Sequence, residues 1–208
     1  ARHGLEVDGV LGQETFAALN TPLAARVEQI ELAMERMRWT REVEATPSVF
    51  VNIPAFGLRV FDPELGEDRP VLEMRVVVGK AVDKQTPAFR SHIRYIEFSP
   101  YWNIPYSIAV EEIMPAIARN ADYLASHRME IVREFSRDAE ALPQTAENLA
   151  AVRSGRLKIR QLPGPGNSVG GAKFIFPNER NVYLHATPAT QLFARSRRDF
   201  SHGCIRLE

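Results

Sequence analysis

The sequence changes rhythm at Pro47, and that change does most to limit the folds open to it. Short runs rich in β-branched and aromatic residues follow: Ser48 to Asn52, Leu58 to Phe61 and Val71 to Val78. Asp62-Pro63 and Gly66 supply a turn between the last two. The first connections are too short for helical crossovers, so antiparallel hairpins are the economical arrangement. Further strands are expected at His92 to Phe98, Lys173 to Phe176 and Asn181 to His185. The prediction is an α+β chain with a β-rich, sandwich-like core.

Helical patterns precede and interrupt this core. Asp8-Gly9 and Gly12 mark turns, and Gln13 to Leu19 reads as a short helix. Thr21 is placed to cap a second helix with Pro22 in its first turn, and Leu23, Val27, Ile30, Met34 and Met37 recur at three- and four-residue steps towards Trp39. That stripe is expected to pack against the β-rich domain. Ile108, Val110, Ile113, Met114 and Ile117 favour another helix, kinked by Pro115, and Ala121 to Ser126 a further one. Glu134 to Arg156 reads as polar and loop-like. No internal repeat or low-complexity tract is visible.

The 208 residues, 45% hydrophobic and 25% charged, are enough for one globular core and a small appendage. Twenty-six basic and twenty-six acidic residues cancel, so no global field favours nucleic acid or an anionic membrane. The one dense basic group, Arg195, Arg197 and Arg198, is by default a solvated loop and at best attracts acidic groups. No run is apolar and long enough to span a bilayer, and the first residues carry no signal-peptide pattern. The chain starts abruptly and stops four residues after its cysteine, so it is expected to be a segment of a longer protein.

The chemistry concentrates near the end. The single cysteine, Cys204, stands in Ser201-His202-Gly203-Cys204-Ile205-Arg206, and His185 closes the apolar run Asn181-Val182-Tyr183-Leu184-His185. One cysteine excludes an internal disulfide and gives no Cys cluster for zinc. A lone Cys is commonly a small buried hydrophobe, but such a residue has no need of a preceding His-Gly or a second histidine upstream. A thiol needs a base to ionise it, and either histidine is a candidate. Gly203 permits a tight turn in which successive N–H groups converge on an oxyanion. The grouping reads as an acyl-transfer site. Tyr183 shares a strand face with His185 by the two-residue period, while Tyr101 and Trp102 are either aromatic walls or core packing.

A histidine, a mid-teens gap from Ala186 to Phe200 and then Ser201-His202-Gly203-Cys204 resembles the signature of the L,D-transpeptidases, the YkuD-like cysteine enzymes of bacterial peptidoglycan. Val51-Asn52-Ile53-Pro54-Ala55-Phe56, Asn103-Ile104-Pro105 and Gly164-Pro165-Gly166-Asn167 before Lys173-Phe174-Ile175-Phe176-Pro177-Asn178 resemble the larger YcbB-like branch. The N-terminal residues resemble the latter half of a three-helix peptidoglycan-binding domain, although a plain helix-loop-helix packing element would read the same.

The resemblance implies a partial binding module over 1–20, a linker helix over 21–46 and a catalytic domain over 47–208, truncated at its C-terminus, with a helical lid insertion at about 107–160. A solvated excursion is the other reading of that insertion. By the resemblance Cys204 is the nucleophile and His185 the general acid and base, oriented by a backbone carbonyl near Ala186. His202 lines the pocket, and the N–H groups of Gly203 and Cys204 form the oxyanion hole. Arg206 stands where asparagine is frequent in the family and either binds a substrate carboxylate or braces the loop through carbonyls. Tyr183, Ser201, Tyr101, Trp102 and Asn103 complete the groove.

The implied reaction joins peptidoglycan stem peptides 3→3 by way of a Cys204 thioester, in the periplasm, with no metal or organic cofactor and with carbapenem-type β-lactams as covalent inhibitors. Three readings stay open: transpeptidase, L,D-carboxypeptidase or related cysteine hydrolase, and non-catalytic peptidoglycan-binding protein.

Overall fold

The computed structural model describes residues 4–39, 46–65 and 69–208. Gly66 of the expected turn, the end of the expected linker helix and the first three residues of the expected binding module lie outside them.

In chain order the elements begin with helices α1 (Gln13–Leu19) and α2 (Leu23–Trp39) and strands β1 (Ser48–Asn52), β2 (Gly57–Phe61), β3 (Leu72–Gly79), β4 (Tyr95–Phe98) and β5 (Trp102–Asn103). Next come α3 (Tyr106–Ile108), a π-helical turn (Ala109–Ile113), α4 (Met114–Arg119), α5 (Tyr123–Ser126), β6 (Met129–Val132), α6 (Ala146–Arg153), β7 (Lys158–Gln161), β8 (Ala172–Ile175) and β9 (Leu184–His185). A 3-10 helix (Thr190–Ala194), β10 (Asp199–Ser201) and β11 (Ile205–Leu207) complete the fold, which is mixed α+β. Among the described residues no helix is long and apolar enough to cross a membrane. The chain divides into two units, Ala1–Thr86 with Thr190–Glu208, and Pro87–Ala189.

The first unit carries the expected hairpins. β1 pairs antiparallel with β2 and β2 with β3, and Asp62 makes the turn between β2 and β3: its carbonyl accepts from Leu65 N–H at 3.1 Å and its side chain from Glu64 N–H at 3.0 Å. β3 is the centre of this unit. It also takes β11 antiparallel and β10 parallel, and its consecutive Val76, Val77 and Val78 are all buried, as a strand covered on both faces requires. Leu58, Phe193 and Ile205 are buried with them.

The helices depart from expectation. The Thr21 hydroxyl donates to the Ala17 carbonyl at 3.2 Å instead of capping α2, and the Pro22 carbonyl takes the first helical bond, from Arg26 N–H at 3.2 Å. Leu23, Val27, Ile30, Met34 and Met37 are each more than half exposed, so the packing expected of this stripe is not made. Charged residues interleave with it, as in the Arg38–Glu35 pair, and an apolar period alone names no partner.

The second unit contains two sheets, β4-β8-β9 and β5-β7-β6, all antiparallel. The strands of the second sheet fall in or beside the region read as helix and loop. Ile131, Val132, Ile159 and Arg160 are buried, and Ile131 and Ile159 join Ile104, Ile113, Met114, Ile117, Leu124 and Val152 in one apolar core. This segment is therefore a packed body and not a solvated excursion. Within 134–156, read as a loop, α6 forms: the Thr145 hydroxyl accepts from Asn148 N–H at 3.2 Å as its N-cap, and Ala151 and Val152 are buried. The bend expected at Pro115 takes the form of the π-helical turn just before it, which widens the helix where proline supplies no N–H to the Glu111 carbonyl.

Arg160 fixes the loop after β6. It is 3% exposed, its Nε donates to Glu130 at 2.6 Å, its other nitrogens donate to the carbonyls of Ser136 and Ala139, and its guanidinium lies 4.3 Å over the Tyr101 ring. A buried guanidinium is tolerated because its charge is paired and its donors are satisfied.

Candidate active site

The cysteine segment is built on β3. Ser201 pairs with Gly79 where β10 runs parallel to β3, and the Ser201 carbonyl accepts from Lys80 N–H at 3.1 Å. Two turns then close around the Ser201 side chain, which is 2% exposed: its hydroxyl accepts from Gly203 N–H at 3.1 Å and donates to the Cys204 carbonyl. Gly203 has φ +121°, a conformation that side-chain-bearing residues rarely adopt.

Two expectations change here. The Gly203 N–H, expected as an oxyanion donor, is used by Ser201, and Ser201, expected to meet substrate, spends its hydroxyl inside the loop. The reason lies in one short hydroxyl that can serve a donor and an acceptor two and three residues away.

Thr86 is the residue that sequence reasoning missed. It is buried, its hydroxyl accepts from Gly79 N–H at 2.9 Å and donates to the Gly203 carbonyl at 2.7 Å, and so it ties the end of β3 to the cysteine turn. A threonine between Gln85 and Pro87 carries no local pattern that would have found it.

Cys204 is partly buried, and His202 before it is half-buried. Arg206 lies in β11, opposite Val77 of β3. Burial pulls its guanidinium below the ordinary value while the attraction of Cys204 works the other way. Its Nε is buried with no hydrogen-bond partner among the described residues, so bracing of loop carbonyls is not made through that atom.

Of the neighbouring arginines, Arg195 and Arg197 are exposed, as expected of a solvated group, and Arg198 is partly buried. Arg197 holds Asp199 by two bonds of 2.7 and 2.8 Å, which lowers the Asp199 pKa, and Arg198 donates to the carbonyls of Val76, Arg195 and Phe56.

The histidine segment is built on β8 and β9. His185 is 5% exposed and pairs across the strands with Lys173. Its Nδ1 lies 2.6 Å from the Ala186 carbonyl oxygen, the backbone acceptor expected for it. A carbonyl only accepts, so Nδ1 carries the proton and Nε2 is left as the basic nitrogen. Ala186 is itself held, its N–H donating to Ala172 at 2.9 Å. Gly170 backs it closely: a Cβ there would meet the Ala186 carbonyl carbon at 2.6 Å.

Tyr183 tilts against His185 with ring centroids 5.5 Å apart, on the face predicted. In the Gly164-Pro165-Gly166-Asn167 and Pro177-Asn178 motifs the two asparagines brace the backbone. Buried Asn167 donates to the carbonyls of Pro100 and Leu162, and Asn178 accepts from Val182 N–H and donates to the Val182 carbonyl, setting the course of the chain into Tyr183. A cleft of about 320 Å³ is lined by Ser99, Gly164, Asn167, Gly170, Ala186 and Thr187 among others.

Of the remaining expected groove residues, Tyr101 lies under Arg160, Trp102 packs against the core of the second unit, and Asn103 pairs with Arg160 in the strand ladder.

The similarities agree with these motifs. A curated Haemophilus influenzae protein, provisionally named L,D-transpeptidase, is 29% identical over 179 residues, which is 86% of this chain and 35% of that protein. The chain thus spans about a third of the length of that relative. Residues 46–208 match the YkuD family, described as the L,D-transpeptidase catalytic domain, and since this match takes in well over half of the chain, the protein belongs to that family.

Proposed function

We propose that the chain is the catalytic part of a peptidoglycan L,D-transpeptidase in which Cys204 is the nucleophile and His185 the general base and acid. The observation that carries this reading is the bond from His185 Nδ1 to the Ala186 carbonyl, which leaves Nε2 to take a proton. A free thiol has a pKa of about 8.5 and is only a few per cent ionised at neutral pH, so proton transfer to an imidazole is what makes it reactive.

In the first half-reaction Cys204 Sγ bonds to the carbonyl carbon between the third residue of a tetrapeptide stem, a diamino acid, and its terminal D-alanine. The C–N bond breaks, and the proton held by His185 leaves on the D-alanine amine. In the second, the side-chain amine of another stem's diamino acid attacks the thioester, gives a proton to His185 and releases the Cys204 thiol. The product is a 3→3 cross-link. With the Gly203 N–H engaged by Ser201, the oxyanion would rest on the Cys204 N–H.

The same reading takes 107–160 as a lid that excludes water, the N-terminal residues as part of a peptidoglycan-binding module, the YcbB-like branch as the chain's subfamily, carbapenem-type β-lactams as acylating inhibitors, and the periplasm as its compartment. The test is product analysis with a disaccharide-tetrapeptide. A 3→3 dimer with free D-alanine, absent from Cys204→Ala, supports transpeptidation. Tripeptide alone points to a carboxypeptidase, and no Cys204-dependent change returns the chain to a binding role.

A further inference from the structure

Glu97, Lys173 and His185 stand in one row across three strands. Glu97 of β4 is directly opposite Lys173 of β8, and Lys173 is directly opposite His185 of β9, so the three side chains share one sheet face. Tyr183, two residues before His185, is on this face too: the Lys173 ammonium lies 4.2 Å over its ring, and that ring touches His185. The Lys173 side chain is only 14% exposed.

An ammonium held this deep has three donors to satisfy. Among the described residues it makes no hydrogen bond, and its ion partner Glu97, itself half-exposed, is 3.7 Å away. Such a cation, fixed over an aromatic ring and left with a long ion pair, is suited to a second carboxylate at hydrogen-bonding distance.

We infer that Lys173 is a specificity-determining residue that binds a carboxylate of the acyl-donor peptide beside His185. This rests on the peptidoglycan reading above, in which the donor is a short peptide with free carboxylates. The contact holds the donor in a fixed orientation and takes no part in proton transfer.

The test is equilibrium binding of a tetrapeptide stem, and of the same peptide with every carboxylate amidated, to the Cys204→Ala chain with and without Lys173→Met. Methionine keeps the apolar stem over the Tyr183 ring and removes the charge. Lys173→Met is expected to weaken the acid peptide about tenfold or more, and Lys173→Arg to hold it within about threefold. The amidated peptide is expected to bind both proteins at the same, weakened level.

Equal losses for acid and amide, no loss for either, or no binding of either peptide would overturn the inference. Should Lys173→Met not fold, the unaltered Lys173 chain still decides, because equal affinity for acid and amide peptides overturns the inference without the variant. Turnover by the chain with Cys204 intact is measured separately. Lys173-dependent binding without turnover sinks the transpeptidase reading alone, and turnover with Lys173-independent binding sinks this inference alone.

Discussion

The Thr86 hydroxyl donates to the carbonyl of Gly203 at 2.7 Å while accepting from Gly79 N–H at 2.9 Å, so one buried side chain joins the end of β3 to the turn before Cys204. Thr86→Val keeps the shape and leaves a buried donor and a buried acceptor unmatched. Urea unfolding should register a loss of about 1–3 kcal/mol, and iodoacetamide should alkylate Cys204 at an altered rate. Thr86→Ser should restore most of both, since it restores the hydroxyl.

Gly170 controls the acceptor of the His185 bond. With φ +65° and a Cβ that would meet the Ala186 carbonyl carbon at 2.6 Å, Gly170→Ala must displace Ala186 or strain its own backbone. The expected stability loss is about 1–3 kcal/mol, and Cys204 acylation should slow by more than stability accounts for. Kinetics measured well below the unfolding temperature separate the two effects. An acylation rate equal to that of the unaltered chain would show that the Ala186 carbonyl is not needed to orient His185.

What the residues alone disclosed, and what they did not, follows from the range of the forces involved. β1, β2 and β3 were legible because each is a local β-rich run and Asp62-Pro63 makes the turn between β2 and β3. The cysteine motif and the carbonyl beside His185 were legible because their geometry is set within a few residues. β6 and β7 were not: Met129–Val132 and Lys158–Gln161 are short, mostly buried and without alternation, and they find each other across a helix and a loop. Their pairing depends on a core assembled from distant segments, and Thr86 meets the cysteine turn only through a bond to the distant Gly203.

Arg160 and Glu130 form a deeply buried ion pair, with side chains 4% and 18% exposed. Arg160→Met strands the Glu130 carboxylate and frees the carbonyls of Ser136 and Ala139. Thermal and urea unfolding should show a loss of about 3–5 kcal/mol. The double variant Arg160→Met/Glu130→Met should recover part of it, because no unpaired charge then remains.

Glu208 carries a pH dependence of defined sign. Its hydrogen bonds to the Arg75 guanidinium hold its carboxyl below the usual glutamate value. The pair's contribution is therefore fully present above the unfolded carboxylate value, about pH 4.3, and is lost as pH falls through the lower folded value. Both groups are largely solvated, so the effect on stability is small. Carboxyl NMR should place the Glu208 midpoint below that of an unstructured glutamate, and Arg75→Met should return it towards the ordinary value.

The most direct measurement is intact-protein and peptide mass spectrometry of the chain quenched in acid after brief exposure to a tetrapeptide donor. The account predicts an adduct on Cys204 equal to the donor less D-alanine, lost from Cys204→Ala and formed at least about a hundredfold more slowly by His185→Gln. An adduct on any other residue, or one that forms on Cys204 at an unchanged rate without His185, contradicts it.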